Sequence, residues 1–579
     1  MNYKNILFLA VLCCTLFSCS EEFLDKEPLS EVTPENFFVT ASDLELYTNG
    51  FYRMLPHTSI YNGDSRTDNI IQNELSDEMR GTRLVPTSGG GWDWAYLRDI
   101  NFFLENYTRS DDEAAKNHYG GVARFFRAYF YFQKLQRFGE VPWYDSTIDP
   151  SDKEALTKPR DSRQFVVDKI LEDLDWAIAN MEAAQNMFEV SKYTALALKS
   201  RVGLYEGTYE KYRSIDGYEK YLEASVAASE ELINSSPYRI YSTGKPEEDY
   251  ANLFNSHEAI GTEIILARAY SEALNIGHNV NYYTTTSSYG RPGMPKDLVN
   301  SYLYRDGSRF TDQDNYNQLF FTEEVKDRDP RLSQTIRTPG YTRKGESMEL
   351  APNLGATVTG YQITKYVTEP VYDTNGQSIT DLTLFRFAEV VLNYAEAKAE
   401  LGTLTQEDLD NSINLLRDRV GMAHLSLETA NGNPDPFMAD QYPGVAENNK
   451  GVILEIRRER RIELYMENFR WDDVVRWKAG ETLTQPIRGM YFPGPGEYDL
   501  TGDGETNVVL YQGERPDKLV PGVQYYEIGS DVFLDENNLI EPHPDFDNRT
   551  FNENKDYLYP LPRIELQLNP NLEQNPGWE

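Results

Sequence analysis

Apolar residues recur at helical spacing in two long blocks of this chain, and that pattern limits the folds open to it. Between residues 120 and 138, Phe125, Ala128, Tyr129, Phe132 and Leu135 fall at i, i+3, i+4, i+7 and i+10, one face of a 3.6-residue helix. The pattern returns over 162–183 (Phe165, Ile170, Leu174, Ile178), over 193–211 (Leu196, Leu198, Val202, Tyr205) and over 219–234. A second block covers 384–402, 406–421 and 450–478. Short connections between helices of this length imply antiparallel hairpins stacked side by side, as in tetratricopeptide-type solenoids. No clean 34-residue consensus accompanies them. Segments 236–383 and 479–579 are instead rich in Gly, Pro, Asn and Tyr, and irregular segments of that length usually carry functional surface. The expectation is a mainly α scaffold of helical hairpins decorated with long irregular loops.

The first nineteen residues predict an address. Ile6–Phe17 is apolar except for Thr15 and follows Lys4. Twelve residues suit a secretory leader and fall short of the ~20 needed to span a bilayer. Leu16-Phe17-Ser18-Cys19 then follows the bacterial lipobox, although Phe17 stands where a small residue is usual. Cys13 and Cys14 lack a small residue before them. Cleavage ahead of Cys19 would make it the lipid-carrying first residue of the mature chain and its sole cysteine, which excludes disulfides, cysteine catalysis and thiolate-bound metals. The six histidines show no HExxH or HxH spacing, an argument against a zinc hydrolase.

Net charge is −37. Such a surface repels nucleic acid and anionic headgroups, so membrane contact is expected through the N-terminal lipid only. The run Arg457–Arg461 alternates with Glu455, Glu459, Glu463 and Glu467 and reads as ion pairs along a helix rather than a nucleic-acid patch.

Six runs, in order, resemble the SusD/RagB-like outer-membrane lipoproteins. They are Phe23-Leu24-Asp25 with Thr33–Phe38; Arg127–Tyr131 through Phe138–Pro142; Asp327–Leu332; Arg386–Glu389 with Asn393–Ala397; Arg457–Glu463 with Arg470–Asp473; and Pro560–Pro562 with the Asn569–Trp578 terminus. The resemblance covers essentially the whole chain. It implies a SusD-like fold with a signal peptide at 1–18, an N-terminal helical region at 19–235, and a 236–579 region holding ligand loops and returning helices. It also implies a non-catalytic protein that binds oligo- or polysaccharide at the cell surface and delivers it to a SusC-like TonB-dependent transporter. Ser20-Glu21-Glu22 resembles the acidic signal for the outer leaflet, so the expected location is the outer membrane, lipid-anchored and facing the exterior. RagB-like peptide capture is the alternative. A retaining glycosidase, with two carboxylates ~5 Å apart, is the third reading, but no GxSxG, P-loop or dinucleotide fingerprint occurs.

Sugar rings stack on Trp and Tyr, with Asn, Asp and Arg reading hydroxyls. Trp92 and Trp94 follow Ser88-Gly89-Gly90-Gly91, and the resemblance places a glycan-contacting Trp and Asn there, the latter at Asn101. The stripe Trp92, Tyr96, Ile100, Phe103 is equally a core face. Tyr282, Tyr283, Tyr289 and Arg291 resemble the family's aromatic ligand loop. Asp64, Arg66 and Asp68 form a polar loop of the kind that edges such sites. Asp499, Thr501, Asp503 and Glu505 repeat the first half of a calcium loop, but Leu510 stands where the bidentate Glu belongs, so a metal-free turn is the favoured reading and no cofactor is expected.

Overall fold

The computed structural model describes residues 37–445 and 448–579. Cys19, the leader before it and the opening segment to residue 36 lie outside the described residues. The rest is mainly helical with little sheet. In chain order the helices that matter below are α1 (Ala95–Asn106), α2 (Glu113–Phe138), α3 (Arg163–Asn180), α4 (Lys192–Lys211), α5 (Glu219–Ser235), α6 (Val280–Thr285), α7 (Phe387–Leu401), α8 (Ile413–Arg419), α9 (Lys450–Glu463) and α10 (Arg470–Arg476). No described helix is long and apolar enough to cross a membrane.

Local chemistry sets the limits of the long helices. Asp112 caps α2 by accepting from the Ala115 amide at 3.0 Å, and Ser162 does the same for α3 through Phe165, each satisfying an orphan donor. The helix α2 stops at Gly139, whose φ of +74° suits a residue without Cβ. Consecutive helices pack on one another from α2 to α5, and α7 then lies against α5 with α9 against α7. Two devices hold α4 in place. A Cβ on Gly203 would sit 2.6 Å from the Tyr221 carbonyl oxygen, so glycine lets α5 approach. Arg163 grips Glu206 through Nε and Nη2, both at 2.7 Å, joining α3 to α4.

The later helices depart from the periodic pattern. Residues 384–386 belong to strand β2 (Leu382–Arg386), which pairs antiparallel with β1 (Ile264–Arg268) across more than a hundred residues; only then does α7 begin. The 406–421 stretch splits into Gln406–Asp410 and α8. The 450–478 stretch breaks after Glu463 and restarts at Arg470, with Met466 and Asn468 in the left-handed region. The cause is tertiary. Asp64, from the other end of the chain, accepts from the amides of Met466 (3.0 Å) and Arg470 (3.3 Å), replacing the helical bonds lost at the break. A small sheet of β3 (Gly496–Tyr498), β4 (Val508–Tyr511) and β5 (Gln524–Glu527) follows these helices in the chain.

One buried apolar cluster runs from Phe38 to Leu572, so residues on both sides of position 235 share a core. The Arg457–Arg461 run is buried, not a solvated face. Only Arg458 pairs inside α9, with Glu455. The others reach across elements: Arg457 to Glu400 (3.7 Å), Arg460 to Asp473 (2.9 Å) and Arg461 to Asp68 (3.0 Å). Glu463 takes Arg331, Arg386 and Arg419 at 3.2, 2.7 and 2.6 Å.

Candidate functional site

The break between α9 and α10 opens a cleft. Residues 464–469, the turn at Gly63–Arg66, the glycine loop before α1 and the outer flank of α2 surround a space of about 520 Å³ lined by Arg66, Tyr96, Arg137, Asn468, Trp471 and Tyr559, among others. An adjoining hollow of about 500 Å³ shares Ser59, Arg66 and Asn468 and adds Asn62, Gln72, Tyr283 and Tyr289. Together they form a groove with aromatic rings on its walls and amides and guanidiniums between.

The turn at 63–66 behaves differently from the sequence expectation. Asp64 is 1% exposed and both its oxygens hold backbone amides of the 464–470 segment; burial pushes its carboxyl up to about 6. Asp68 accepts from Arg470 Nε and Nη2, both at 2.7 Å, and from Arg461 Nη2. Against the opposing effect of burial, Arg461 and Arg470 hold its carboxyl well below the usual carboxylate range. These two aspartates are struts, not hydroxyl readers. Between them Arg66 turns toward the cleft, with its guanidinium 5.6 Å from the Trp471 ring centre and a 3.4 Å bond to Asn468 Oδ1.

The tyrosine loop divides in the same way. Tyr282 and Tyr289 stack, with ring centres 5.6 Å apart and planes at 22°, and Tyr289 is 38% exposed. Tyr283 on α6 is 1% exposed, accepts from Gln72 and meets Tyr289 edge-on at 5.7 Å. It buttresses the platform instead of presenting a face. Arg291 lies elsewhere, donating to the Leu354 carbonyl at 2.8 Å beside a separate small hollow.

The glycine loop sends its neighbours to opposite sides. Gly89, Gly90 and Gly91 all have positive φ, a path closed to most L residues. Lys134 donates to the Gly91 carbonyl and Arg137 to that of Gly90, fixing the loop on α2. Gly91, Asp93 and Tyr96 then face the central cleft. Trp92 and Trp94 face a different, largely apolar cleft of about 730 Å³ with Leu97, Tyr144 and Leu568. Trp92 is 8% exposed and packs edge-on against Trp94 and Phe138, 5.3 and 5.0 Å away. The structure therefore does not bring the tryptophans and the tyrosine platform together. Asn101 is 1% exposed; it donates to the carbonyls of Tyr144 and Ser146 and accepts from Arg127, which leaves it a scaffold residue. Of the stripe Trp92, Tyr96, Ile100 and Phe103, three members are buried and Tyr96 is 38% exposed.

Asp499 is engaged by its own turn, taking the amides of Thr501 and Gly502 on Oδ1 and that of Gly504 on Oδ2. Asp503 and Glu505 are exposed. Among the described residues no group of three or more His, Cys, Asp or Glu side chains is placed to hold a metal ion.

Sequence reasoning passed over Tyr96, Arg137, Asn468, Trp471 and Tyr559 as site residues. Trp471 stood in a signature run, but nothing local announces that Asn468 meets Arg66 across 402 positions.

Residues 262–578 match the family model described as "SusD family", and residues 35–212 match one described as "Starch-binding associating with outer membrane". "SusD-like protein P2" of Formosa agariphila is 24% identical, with all of both chains covered. "SusD-like protein P38" of the same organism is 25% identical over 84% of this chain and 94% of its own. Among solved structures, a SusD-like carbohydrate binding protein from Bacteroides fragilis superposes with a TM-score of 0.69 at 22% identity, covering 93% of this chain and all of that one.

Proposed function

The chain belongs to the SusD family, and from that premise we propose that it is a cell-surface lipoprotein, anchored through Cys19, that binds oligo- or polysaccharide and passes it to a SusC-like TonB-dependent transporter. The observation that carries the binding step is the exposed Tyr289, backed by its stack on Tyr282, beside Asn62, Gln72 and Asn468. Flat apolar rings take the C–H faces of sugars, and neighbouring amides take the hydroxyls. The matching model over residues 35–212, with its starch-binding and outer-membrane description, and the carbohydrate-binding description of the B. fragilis relative support the same reading. So does the succession of packed helix pairs, which we read as a tetratricopeptide-like support for the loops.

The groove binds without turnover. Its Glu467 is held by Arg386 and Lys365, and its Asp472 accepts from Gln136 at 2.7 Å, so these carboxylates do not stand as a free acid–nucleophile pair. The test is calorimetric titration of the protein against a glycan panel with a peptide panel alongside. A glycan should bind, Tyr289→Ala should weaken it roughly three- to tenfold, the value of one aromatic contact, and no shortened product should appear. Preference for peptides, or released product, would overturn the reading.

A further inference from the structure

We propose that the central cleft selects glycans carrying an anionic group, a uronate carboxylate or a sulfate ester; this rests on the glycan-binding reading above and narrows it. The chain as a whole is strongly acidic, with 93 Asp and Glu against 56 Lys and Arg. The cleft reverses that balance. Its Arg201 is paired with Glu389 at 2.6 and 2.7 Å, and its Glu467 with Arg386 and Lys365. What remains facing the space is Arg53, Arg66, Lys134 and Arg137 against Asp93 and Asp472.

Two of those cations lack what the protein gives most of its buried arginines, Arg457 and Arg337 being among the others without a carboxylate within 3.0 Å. Each of Arg331, Arg386, Arg419, Arg460, Arg470 and Arg476 has a carboxylate within 3.0 Å. Arg328 has no carboxylate but donates to three carbonyls. Arg66 has a single 3.4 Å bond to Asn468, and its Nε is buried without an acceptor. Arg137 has one bond, from Nε to the Gly90 carbonyl, and lies 3.8 Å over the Tyr559 ring. No carboxylate of the described residues comes within 4.0 Å of either guanidinium.

A half-buried guanidinium with N–H groups that no protein acceptor takes is better satisfied once an anion arrives, and its fork matches the two oxygens of a carboxylate or sulfate. At Arg66 burial is outweighed by nearby Tyr559, Asp472, Glu78 and Asp64, which raise its affinity for its proton; the demand is greater at its neighbours. Burial, with Arg66 and Arg83 nearby, lowers the affinity of Arg137 for its proton, and burial brings Lys134 down to about 8. An anion seated between Arg66 and Arg137 would relieve that repulsion. Asp472, the acid of this floor, faces Arg66, Arg201, Asp473 and Gln136, and burial pushes it up to about 6. The aromatic platform shares Arg66 with this floor through the adjoining hollow, so one oligosaccharide can stack on Tyr289 while its acidic substituent enters the cleft.

The experiment titrates the full mature lipoprotein in detergent with matched pairs: a uronic-acid oligosaccharide and its carboxyl-reduced form, and a sulfated oligosaccharide and its desulfated form. At low salt at least one charged member should bind tenfold or more above its neutral counterpart, since charge-assisted hydrogen bonds carry that much, and the advantage should shrink as sodium chloride rises. Which pair shows the difference tells carboxylate from sulfate. Arg66→Gln and Arg137→Gln should each remove most of the advantage, weakening the charged member at least about fivefold more than its neutral counterpart, with the melting temperature of Arg66→Gln in place. Arg66→Lys, which keeps the charge but not the fork, should retain part of it. Equal binding within both pairs would overturn this inference and leave the glycan reading standing, as would Gln variants that weaken charged and neutral members alike. Binding of no member by an otherwise folded protein would overturn both.

Discussion

Arginine does opposite work in two regions about one helix apart. Around α9, guanidiniums are buried and matched: Glu463 alone serves Arg331, Arg386 and Arg419, and Glu396 serves Arg476 through both Nη1 and Nη2. In the neighbouring cleft, Arg66 and Arg137 are half-buried and have no carboxylate. Burial makes a lone charge expensive and a complete network self-sufficient. The matched region spends most of its charge internally, and in the cleft Arg66 and Arg137 keep donors that no carboxylate of the described residues takes. The difference separates scaffold from site more sharply than residue type does.

Breaking the matched network should have the largest effect. Glu463→Gln leaves three buried guanidiniums short of charge and should cost about 3–5 kcal/mol in urea unfolding; an unchanged midpoint would show that the lattice is not structural. Acid offers a second way in. Arg476, Arg460 and Arg457 overcome burial to pull Glu396 down to about 2, and Glu463 and Asp68 are depressed further. Groups with depressed folded-state values stabilise the fold above their unfolded value near 4.5 and lose that contribution as the pH falls. Thermal stability should therefore decline steeply between about pH 4.5 and 2. Asp472 has the opposite sign, because a value raised from 3.8 to about 6 removes stability as pH climbs across that interval, so Asp472→Asn should raise the melting temperature more at pH 7 than at pH 4.5.

Shape comes next in size. Gly203→Val forces a side chain onto the Tyr221 carbonyl and should cost about 1–3 kcal/mol, with glycan affinity preserved in the fraction that folds. The same split is expected at Trp92, where alanine should lower stability and leave binding to the tyrosine platform intact. The smallest effect on folding belongs to the cleft. Arg66→Ala should shift the unfolding free energy by about 0.5 kcal/mol or less. A loss as large as that of Glu463→Gln would erase the distinction between the two regions.

What could be read from the chain followed the range of the interactions involved. The helices from α2 to α5 were legible because a 3.6-residue stripe is local. The candidate site was only half legible. Tyr289 occupies the expected loop with Tyr282 beside it on α6, but burial takes Tyr283, Asp64, Asp68 and Asn101 into the scaffold, and a three-glycine turn aims Trp92 and Trp94 away from the platform. Periodicity cannot distinguish a Trp in a cleft from a Trp in a core, because both need the same spacing.

By itself the sequence determined the helical class, the acidic surface, the family and the segment in which an aromatic platform would stand. Tertiary structure decided where α9 breaks, which arginines are matched and which are left open. Those outcomes depend on Asp64 meeting Met466 and on Arg66 meeting Asn468, contacts 402 positions apart. A hydrogen bond or a missing carboxylate partner is a property of the folded neighbourhood, and no local pattern of residues encodes it.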